Sequence, residues 1–448
     1  MRKLVAAIDL GTSKVVCLVG EKTDAGIKII ALSEAPTKGV SRGEVVNIQY
    51  ALDSMMPTIQ NVENAIGEKI KDVFIGIAGQ NIKCIQGTNQ TTRINPDELI
   101  TLEEIEEITK KMHNIPCNEG EEVLHAIPQS YNIDDFMGIT EPKGMTGKDI
   151  FSNFKVVLGK KTSSQQKNNV LKRSGLNLKG MFLGPLATAK AVLEDDEKEV
   201  GVALLDIGGG TTDLIVIHEN VVRHTAVIPF GGNCITEDIK QGCGVSSKVA
   251  EQLKTIHGSC MSSVAPDKSV RINGIGGRKD KDIHFKTIAE IIESRVEELL
   301  EAAMYEIEKS GYKEKINAGL VITGGTSQLA NLQPFARLVT GFDIRLAIPA
   351  KQYALMETPL NKPSLSTGVG LVVMGFEELE KMDNGNRKAY TPPTEKKPAV
   401  KVIEEIKEVK EEGDGQEQPK GPKKGPWSGI RGIFDSFKSD NVFTDNDA

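Results

Sequence analysis

The sequence predicts an α/β protein made of two related lobes with a ligand held between them. Three observations carry that expectation. Short apolar runs of strand length alternate with longer stretches of helical period from Met1 to about Leu379. The segment Val5-Ala6-Ala7-Ile8-Asp9-Leu10-Gly11-Thr12 is echoed about two hundred residues later by Val202-Ala203-Leu204-Leu205-Asp206-Ile207-Gly208-Gly209, and both copies pass through small or hydroxylated residues into a second apolar strand. A third segment, Leu320 to Ser327, is a buried strand running into a double-glycine turn.

Taken in order, the apolar runs Leu4–Ile8, Val15–Val19, Val73–Ala78, Val202–Leu205, Leu214–Ile217 and Leu320–Ile322 are expected strands. Expected helices cover Ile48–Ile66, Pro96–His113, Thr162–Arg173 and Lys286–Glu308. In the last of these, Ile288, Ile291, Ile292, Val296, Leu299, Leu300 and Ala303 recur at i, i+3, i+4 spacing with Glu and Arg opposite, as in an ordinary packed helix. The Gly-, Lys- and Asp-rich stretch Ser262–Asp282 is expected to be a surface loop. Residues 380–424 are dominated by Lys, Glu, Pro and Gly and cannot bury enough surface to offset chain entropy, so they are expected to form a disordered linker. Apolar residues return at helical spacing over 425–438, and 439–448 is a polar tail.

Composition excludes several classes. Of the 448 residues, 39% are hydrophobic and 26% charged, which fits a globular body. The net charge of -7 argues against a general nucleic-acid binder. No apolar run approaches the roughly 20 residues of a membrane-spanning helix. The opening Met1–Ile8 is basic then apolar, but Asp9 ends the run too soon for a signal peptide, so a cytoplasmic protein is expected. Cys17, Cys84, Cys117, Cys234, Cys243 and Cys260 are scattered with no CxxC pair, and are read as buried thiols in a reducing compartment.

The chemistry lies in the glycine turns. A strand ending in Asp-x-Gly, a tight turn and a returning strand expose backbone N–H groups at the tip, and Gly lets the backbone approach an anion closely. Thr12, Ser13, Thr211 and Thr212 can add hydroxyl donors to a phosphate, and Lys14 a point charge. Asp9 and Asp206, at the two strand ends, would hold a hydrated Mg2+, an ion that needs only a carboxylate or two from protein. One such turn alone is only a Gly-rich turn. Two on related strands point to a nucleotide, and the Gly324-Gly325 turn could let an adenine ring lie flat against the backbone. Neither a P-loop nor a GxGxxG fingerprint is present.

The order Asp9-Leu10-Gly11-Thr12-Ser13-Lys14, Asp206-Ile207-Gly208-Gly209-Gly210-Thr211-Thr212-Asp213, Gly324-Gly325-Thr326-Ser327 resembles the actin/Hsp70/sugar-kinase ATPase superfamily. Within it, Gly144-Met145-Thr146-Gly147, Arg223-His224-Thr225, Val227-Ile228-Pro229, Gly232-Asn233 and Glu251-Gln252-Leu253-Lys254 resemble the FtsA family of bacterial cell-division proteins over Met1 to about Leu379. The resemblance implies an actin-like two-lobed fold with an inserted subdomain, 1C, over 84–160. Subdomain 1A would take 1–83 and 161–199, 2A would take 200–245 and 317–379, and 2B would take 246–316. It implies ATP as the ligand, with Gly11, Thr12, Ser13, Lys14, Gly208, Gly209, Gly210, Thr211 and Thr212 on its phosphates. Glu251 and Lys254, matching the family's E-x-x-K helix, and Gly324, Gly325 and Ser327 would hold its adenosine.

One departure bears on mechanism. Where Hsp70-like members carry Glu-Pro in the connecting helix, this chain has Gly184-Pro185. A missing water-orienting group removes a contribution of roughly 10²–10⁴-fold, so slow or negligible hydrolysis is expected. ATP would then act mainly as an assembly ligand.

At 100° per residue, Trp427, Ile430, Ile433, Phe434 and Phe437 fall within an arc of about 120°, with Arg431 and Lys438 beside it and Lys420, Lys423 and Lys424 ahead. Apolar rings with basic flanks describe a helix that lies in a membrane interface, here on an anionic surface. The leading expectation is an ATP-binding scaffold that polymerises, anchors the division ring to the inner membrane and, by resemblance, meets the tail peptide of the tubulin-like FtsZ on 2B. Later division proteins would use 1C. The alternative is a soluble small-molecule kinase or other ATPase of the same superfamily; the amphipathic tail and the lack of a substrate motif disfavour the kinase, and the lack of a β-rich substrate domain after the core disfavours a chaperone-like ATPase.

Overall fold

The computed structural model describes residues 2–353 and 361–383 except 80, 275, 277 and 278. The chain divides into two units, Met1–Lys401 and Val402–Ala448, and every described residue lies in the first. The expected linker beyond residue 383, the helix at 425–438 and the tail at 439–448 lie outside the described residues.

The chain opens with β1 (Leu4–Leu10), β2 (Lys14–Thr23) and β3 (Gly26–Pro36), an antiparallel meander. A small hairpin, β4 (Val40–Ser41) and β5 (Glu44–Val45), leads into α1 (Ile48–Ile66). The Asn47 side chain accepts from the Tyr50 N–H to start α1, and Gly67 ends it at φ 74°. β6 (Asp72–Ile77) then pairs parallel to β1. An insert follows: β7 (Lys83–Thr92), α2 (Leu102–His113), β8 (Glu121–Ile133), β9 (Phe136–Ile139) and β10 (Asp149–Lys160). Its four strands form an antiparallel sheet in the order β7-β10-β8-β9, with a core of its own that includes Ile108, Met112, Tyr131, Ile133 and Phe154. Arg93, 8% exposed, secures this insert by bonding the Glu104 carboxylate at 2.9 Å and the carbonyls of Glu98 and Gly147 at 2.9 and 3.0 Å.

α3 (Lys161–Arg173) continues directly from β10, and β11 (Asn177–Leu183) completes the first sheet in the order β11-β6-β1-β2-β3. α4 (Gly184–Val192) and α5 (Asp195–Val200) carry the chain across to β12 (Val202–Ile207), β13 (Thr212–His218) and β14 (Val221–Ile228). Next come α6 (Gly232–Cys243), α7 (Ser247–His257), the hairpin β15 (Ser269–Ile272) and β16 (Lys281–His284), and α8 (Phe285–Lys309). The second sheet is finished by β17 (Leu320–Thr323), α9 (Leu332–Thr340) and β18 (Ile344–Leu346), and α10 (Ser366–Asp383) follows.

The second sheet runs β14-β13-β12-β17-β18. Both sheets are therefore a three-strand antiparallel meander with two parallel strands added beside its first strand, which is the duplication the sequence repeat predicts. α4 and α10 lie in one core with residues of both sheets, among them Val5, Leu18, Phe74, Leu204, Ile215 and Val321. Among the described residues, no helix is long and apolar enough to cross a membrane.

Four expectations are corrected. α2 begins at Leu102 rather than Pro96, because Thr101 and Glu104 form a reciprocal capping box that starts the helix there. The stretch 262–282 is not a plain loop: β15 pairs with β16, placing Val270 opposite Ile283. α10 runs on to Asp383, past Leu379, so 380–383 belong to a helix rather than the linker; Glu377 pairs with Lys190 at 2.9 Å and Glu380 pairs with Lys22. Of the six free thiols only Cys17 and Cys260 are buried, the other four being half-buried.

Candidate functional site: the cleft between the two sheets

The β1–β2 and β12–β13 turns are built alike. The Gly11 N–H donates to the Lys14 carbonyl at 3.1 Å, and the Gly208 N–H donates to the Thr211 carbonyl at 2.9 Å. These turns face one another across a cleft of about 550 Å³, within the size range of small-molecule sites. A Cβ on Gly209 would lie 2.0 Å from Ser13 Oγ, and one on Gly210 would lie 2.4 Å from Thr12 Oγ1. The Ser13 hydroxyl donates across the gap to Asn233 Oδ1 at 3.2 Å.

The second turn is buttressed from behind. The Gly208 carbonyl accepts from the Gly232 N–H at 2.9 Å and the Thr326 hydroxyl at 3.0 Å, and the Gly209 carbonyl accepts from the Asn233 N–H at 2.7 Å. Gly324, at the end of β17, has φ 90°, and a Cβ there would sit 2.4 Å from Asp206 Oδ1, so only glycine fits. Lys254 is buried; its ammonium donates to the Gly232 carbonyl at 3.0 Å and to the Thr236 hydroxyl at 2.8 Å, and pairs with Glu251 at 2.7 Å. It thereby clamps α7 to the first turn of α6.

Of the residues expected at the site, Asp9, Gly11, Thr12, Ser13, Lys14, Asp206, Gly208, Gly209, Gly210, Thr211, Glu251, Lys254, Gly324 and Gly325 line the cleft. Two do not. Thr212 is fully buried with its hydroxyl donating to the Phe230 carbonyl, and Ser327 is buried with its hydroxyl donating to the Gly324 carbonyl. Both shape the turns from behind, because a side chain on the strand side of a turn points into the core. Lys14 lines the cleft with its ammonium held by Glu34 at 2.9 Å and the Ser364 hydroxyl at 2.7 Å.

The floor is acidic. Burial, then the charge of Asp206, pushes the Asp9 carboxyl up to about 6, against the opposing lysines 167 and 14. Burial raises Asp206 as well, while hydroxyl bonds from Thr367 and Thr188, both 2.9 Å from its Oδ2, act the other way. Asp213 is raised well above the ordinary range by burial and by the charges of Asp206 and Asp9, and its Oδ1 is buried without a partner. Desolvated carboxylates with spare oxygens suit a hard cation. Among the described residues, no group of three or more His, Cys, Asp or Glu side chains is placed to hold a metal ion.

Comparison with known proteins agrees with this architecture. A family model described as "Cell division protein FtsA" matches residues 203–370, and one described as "SHS2 domain inserted in FTSA" matches 79–158. The FtsA of Pseudomonas aeruginosa is 32% identical over 413 residues, covering 90% of this chain and 97% of that protein. The chain belongs to the FtsA family. The FtsA of Neisseria meningitidis is 34% identical, covering 83% of this chain and 90% of its own length. Among solved structures, a PilM-PilN type IV pilus biogenesis complex shares the fold at TM-score 0.59 and 16% identity, covering 83% of this chain and 98% of that chain. MreB 5 of Spiroplasma citri bound to AMPPNP does so at TM-score 0.50 and 15% identity, covering 86% and 98%. The match over 79–158 falls on the four-stranded insert with α2.

In this FtsA-family chain several cleft residues escape a sequence reading. Asp213 follows the second turn at strand spacing and could have been found from its place in Thr211-Thr212-Asp213. Asn233 lies in the Gly232-Asn233 pair that the resemblance marks, whereas Thr188, Thr367 and Lys167 carry no local motif; only the packing of α4, α10 and α3 brings them in. Gly184 also has a structural reason: a Cβ there would lie 3.0 Å from Asp213 Oδ2, so a glutamate would press one carboxylate on another.

The acidic floor predicts an unusual pH dependence of the empty protein. Asp9 titrates at about 6 in the fold against 3.8 ordinarily, so the native state holds its proton more tightly than the unfolded chain. Its contribution is fully present below about pH 4 and is lost as pH rises through 6. Asp9→Asn should therefore gain stability relative to wild type between pH 4.5 and 6.5, by on the order of 2 kcal/mol. Denaturant titrations of both proteins at the two pH values check this.

Proposed function

We propose that the cleft binds ATP as its Mg2+ complex, and that the protein is an actin-like division scaffold that polymerises at the cytoplasmic face of the bacterial inner membrane. The carrying observation is the mirrored pair of glycine turns facing each other above three carboxylates. Gly11, Thr12, Ser13 and Lys14 would meet the phosphates from one lobe, and Gly208, Gly209, Gly210 and Thr211 from the other. Lys14 can exchange Glu34 for phosphate at small cost, since its ion pair is partly exposed. Glu251, Lys254, Gly324 and Gly325 would wall the adenosine, with Ser327 steadying Gly324. Mg2+, when bound, would neutralise phosphate charge, held by Asp9 and Asp206 through water.

Asp9 and Asp206 come from different lobes, as do Ser13 and Asn233, so a ligand that engages both sides favours the closed arrangement. Gly184 offers no carboxylate to orient a water, while Asp213 stands beside that place with an unbonded oxygen, so turnover is expected to be slow rather than absent. ATP then serves assembly.

Family membership supports the rest of this reading. The tail peptide of FtsZ would dock on residues 246–316, and later division proteins would use the insert at 84–160. Trp427, Ile430, Ile433, Phe434 and Phe437, edged by Arg431, would form the peripheral anchor. Five apolar side chains make a weak anchor, and lining up many copies raises avidity by roughly 10²–10⁴-fold. Co-sedimentation with anionic vesicles tests this, comparing the full chain with one ending at Lys424. The full chain should pellet more with ATP than without, and the shortened chain should stay in solution. Equal pelleting of both would overturn the anchor.

A further inference from the structure

A buried lysine also faces the cleft. Lys167, on α3, is 2% exposed, and its ammonium donates to the Gly76 carbonyl of β6 at 2.8 Å while facing the carboxylates of Asp9, Asp213 and Glu44. An ammonium taken this far out of water is costly unless opposite charge and hydrogen bonds compensate. Lys14, by contrast, is held by Glu34 and Ser364. Lys167 is therefore the buried cation that stands among the carboxylates of the two phosphate turns, and its neighbours are not those of α7 or the Gly324-Gly325 turn.

We propose that Lys167 senses the terminal phosphate of the nucleotide, donating from its ammonium to a γ-phosphate oxygen, and that this contact couples the presence of that phosphate to the inserted sheet. The inference rests on the nucleotide reading above. The mechanical link is short. β10 ends at Lys160 and α3 starts at Lys161 with no loop between them. The chain enters the insert from β6 through Ala78, which itself lines the cleft. From β8, His125 Nε2 accepts the N–H of Leu183, one residue before Gly184. The insert thus adjoins the cleft through Ala78, through α3, which carries Lys167, and through the Leu183 bond next to Gly184, and α3 can pass a displacement at its lysine to β10 as a rigid element. ADP lacks the group that Lys167 would hold, so the two nucleotides would favour different positions of the insert. By reciprocity, whatever binds the insert would shift the preference for ATP over ADP.

The test is calorimetric binding of a non-hydrolysable ATP analogue and of ADP, each with Mg2+, to the full chain, Lys167→Met and Lys167→Arg. A lost charge-assisted bond predicts that Lys167→Met binds the ATP analogue about 10- to 100-fold more weakly. ADP affinity should change by less than about threefold, and Lys167→Arg should recover part of the preference. An equal change for both nucleotides, or none, overturns the proposal while leaving nucleotide binding intact. If wild type binds neither, both readings fail together. Should the methionine variant not fold, hydrogen exchange on wild type decides: residues 149–173 should be better protected with the ATP analogue than with ADP, and equal protection overturns the link.

Discussion

Gly209→Val should strongly weaken nucleotide binding while leaving the fold intact. Even a Cβ at this position would lie 2.0 Å from Ser13 Oγ and 3.2 Å from Asn233 Oδ1. The branched side chain would stand in the gap between the two turns and hold them apart. Gly209 does not have the positive φ that marks Gly324, so its own backbone tolerates a side chain, and what it meets are side-chain atoms at the rim of a cleft. The cost falls on closure. Overpacking of about 1–3 kcal/mol adds to the loss of at least one charge-assisted phosphate bond of about 1.5–3 kcal/mol. ATP should bind at least about 100-fold more weakly. The thermal unfolding temperature without nucleotide should shift little. Calorimetric binding and a melt of the same sample check both parts, and retained affinity would show that the turns do not close on the ligand.

Gly370→Ala should act through the fold. α10 crosses α4 so closely that a Cβ on Gly370 would lie 1.7 Å from the Ala187 carbonyl oxygen and 2.3 Å from its carbon. These are backbone atoms, so relief requires the helices to separate. The same helices carry Thr188 and Thr367, whose hydroxyls 3.0 Å apart both bond Asp206 Oδ2. A loss of about 3 kcal/mol or more is expected, at or above the upper end for an added methyl group in a packed core. Asp206 would lose its orientation as well, so Mg2+-dependent binding should weaken together with stability. Denaturant unfolding with and without Mg-ATP measures both, and a variant as stable as wild type would contradict the α4–α10 contact.

The duplicated architecture is legible in the sequence because the residues that form it have few alternatives. Strands such as Leu204-Leu205 and Val321-Ile322 are apolar on both faces, and the Asp-x-Gly ends punctuate them. The start of α2 was also available, since Thr101 and Glu104 have capping-box spacing; the apolar Ile94, Leu99 and Ile100 extend the pattern upstream and hide it. The β15–β16 hairpin is harder to read because its strands are four residues long and their composition is that of a loop. In the cleft, a residue that contributes backbone or hydroxyl at a glycine turn is marked by the turn. Lys167 sits in the polar run Gln165-Gln166-Lys167-Asn168-Asn169, where the surrounding residue types indicate a solvated face; only the packing of α3 against β6 turns it inward. The same holds for Thr188 and Thr367, which lie 179 positions apart and meet on one carboxylate oxygen.

The proposed function stands on ATP and Mg2+ entering this cleft together, between the two lobes. The most direct measurement is a titration of the full chain with ATP, with Mg2+ and then with the metal chelated, repeated on Asp206→Asn. Saturable binding of one nucleotide per chain is expected, weakened at least about tenfold by chelation, with a variant in which Mg2+ no longer makes that difference. Binding that ignores both the metal and Asp206, or no binding at all, would contradict it.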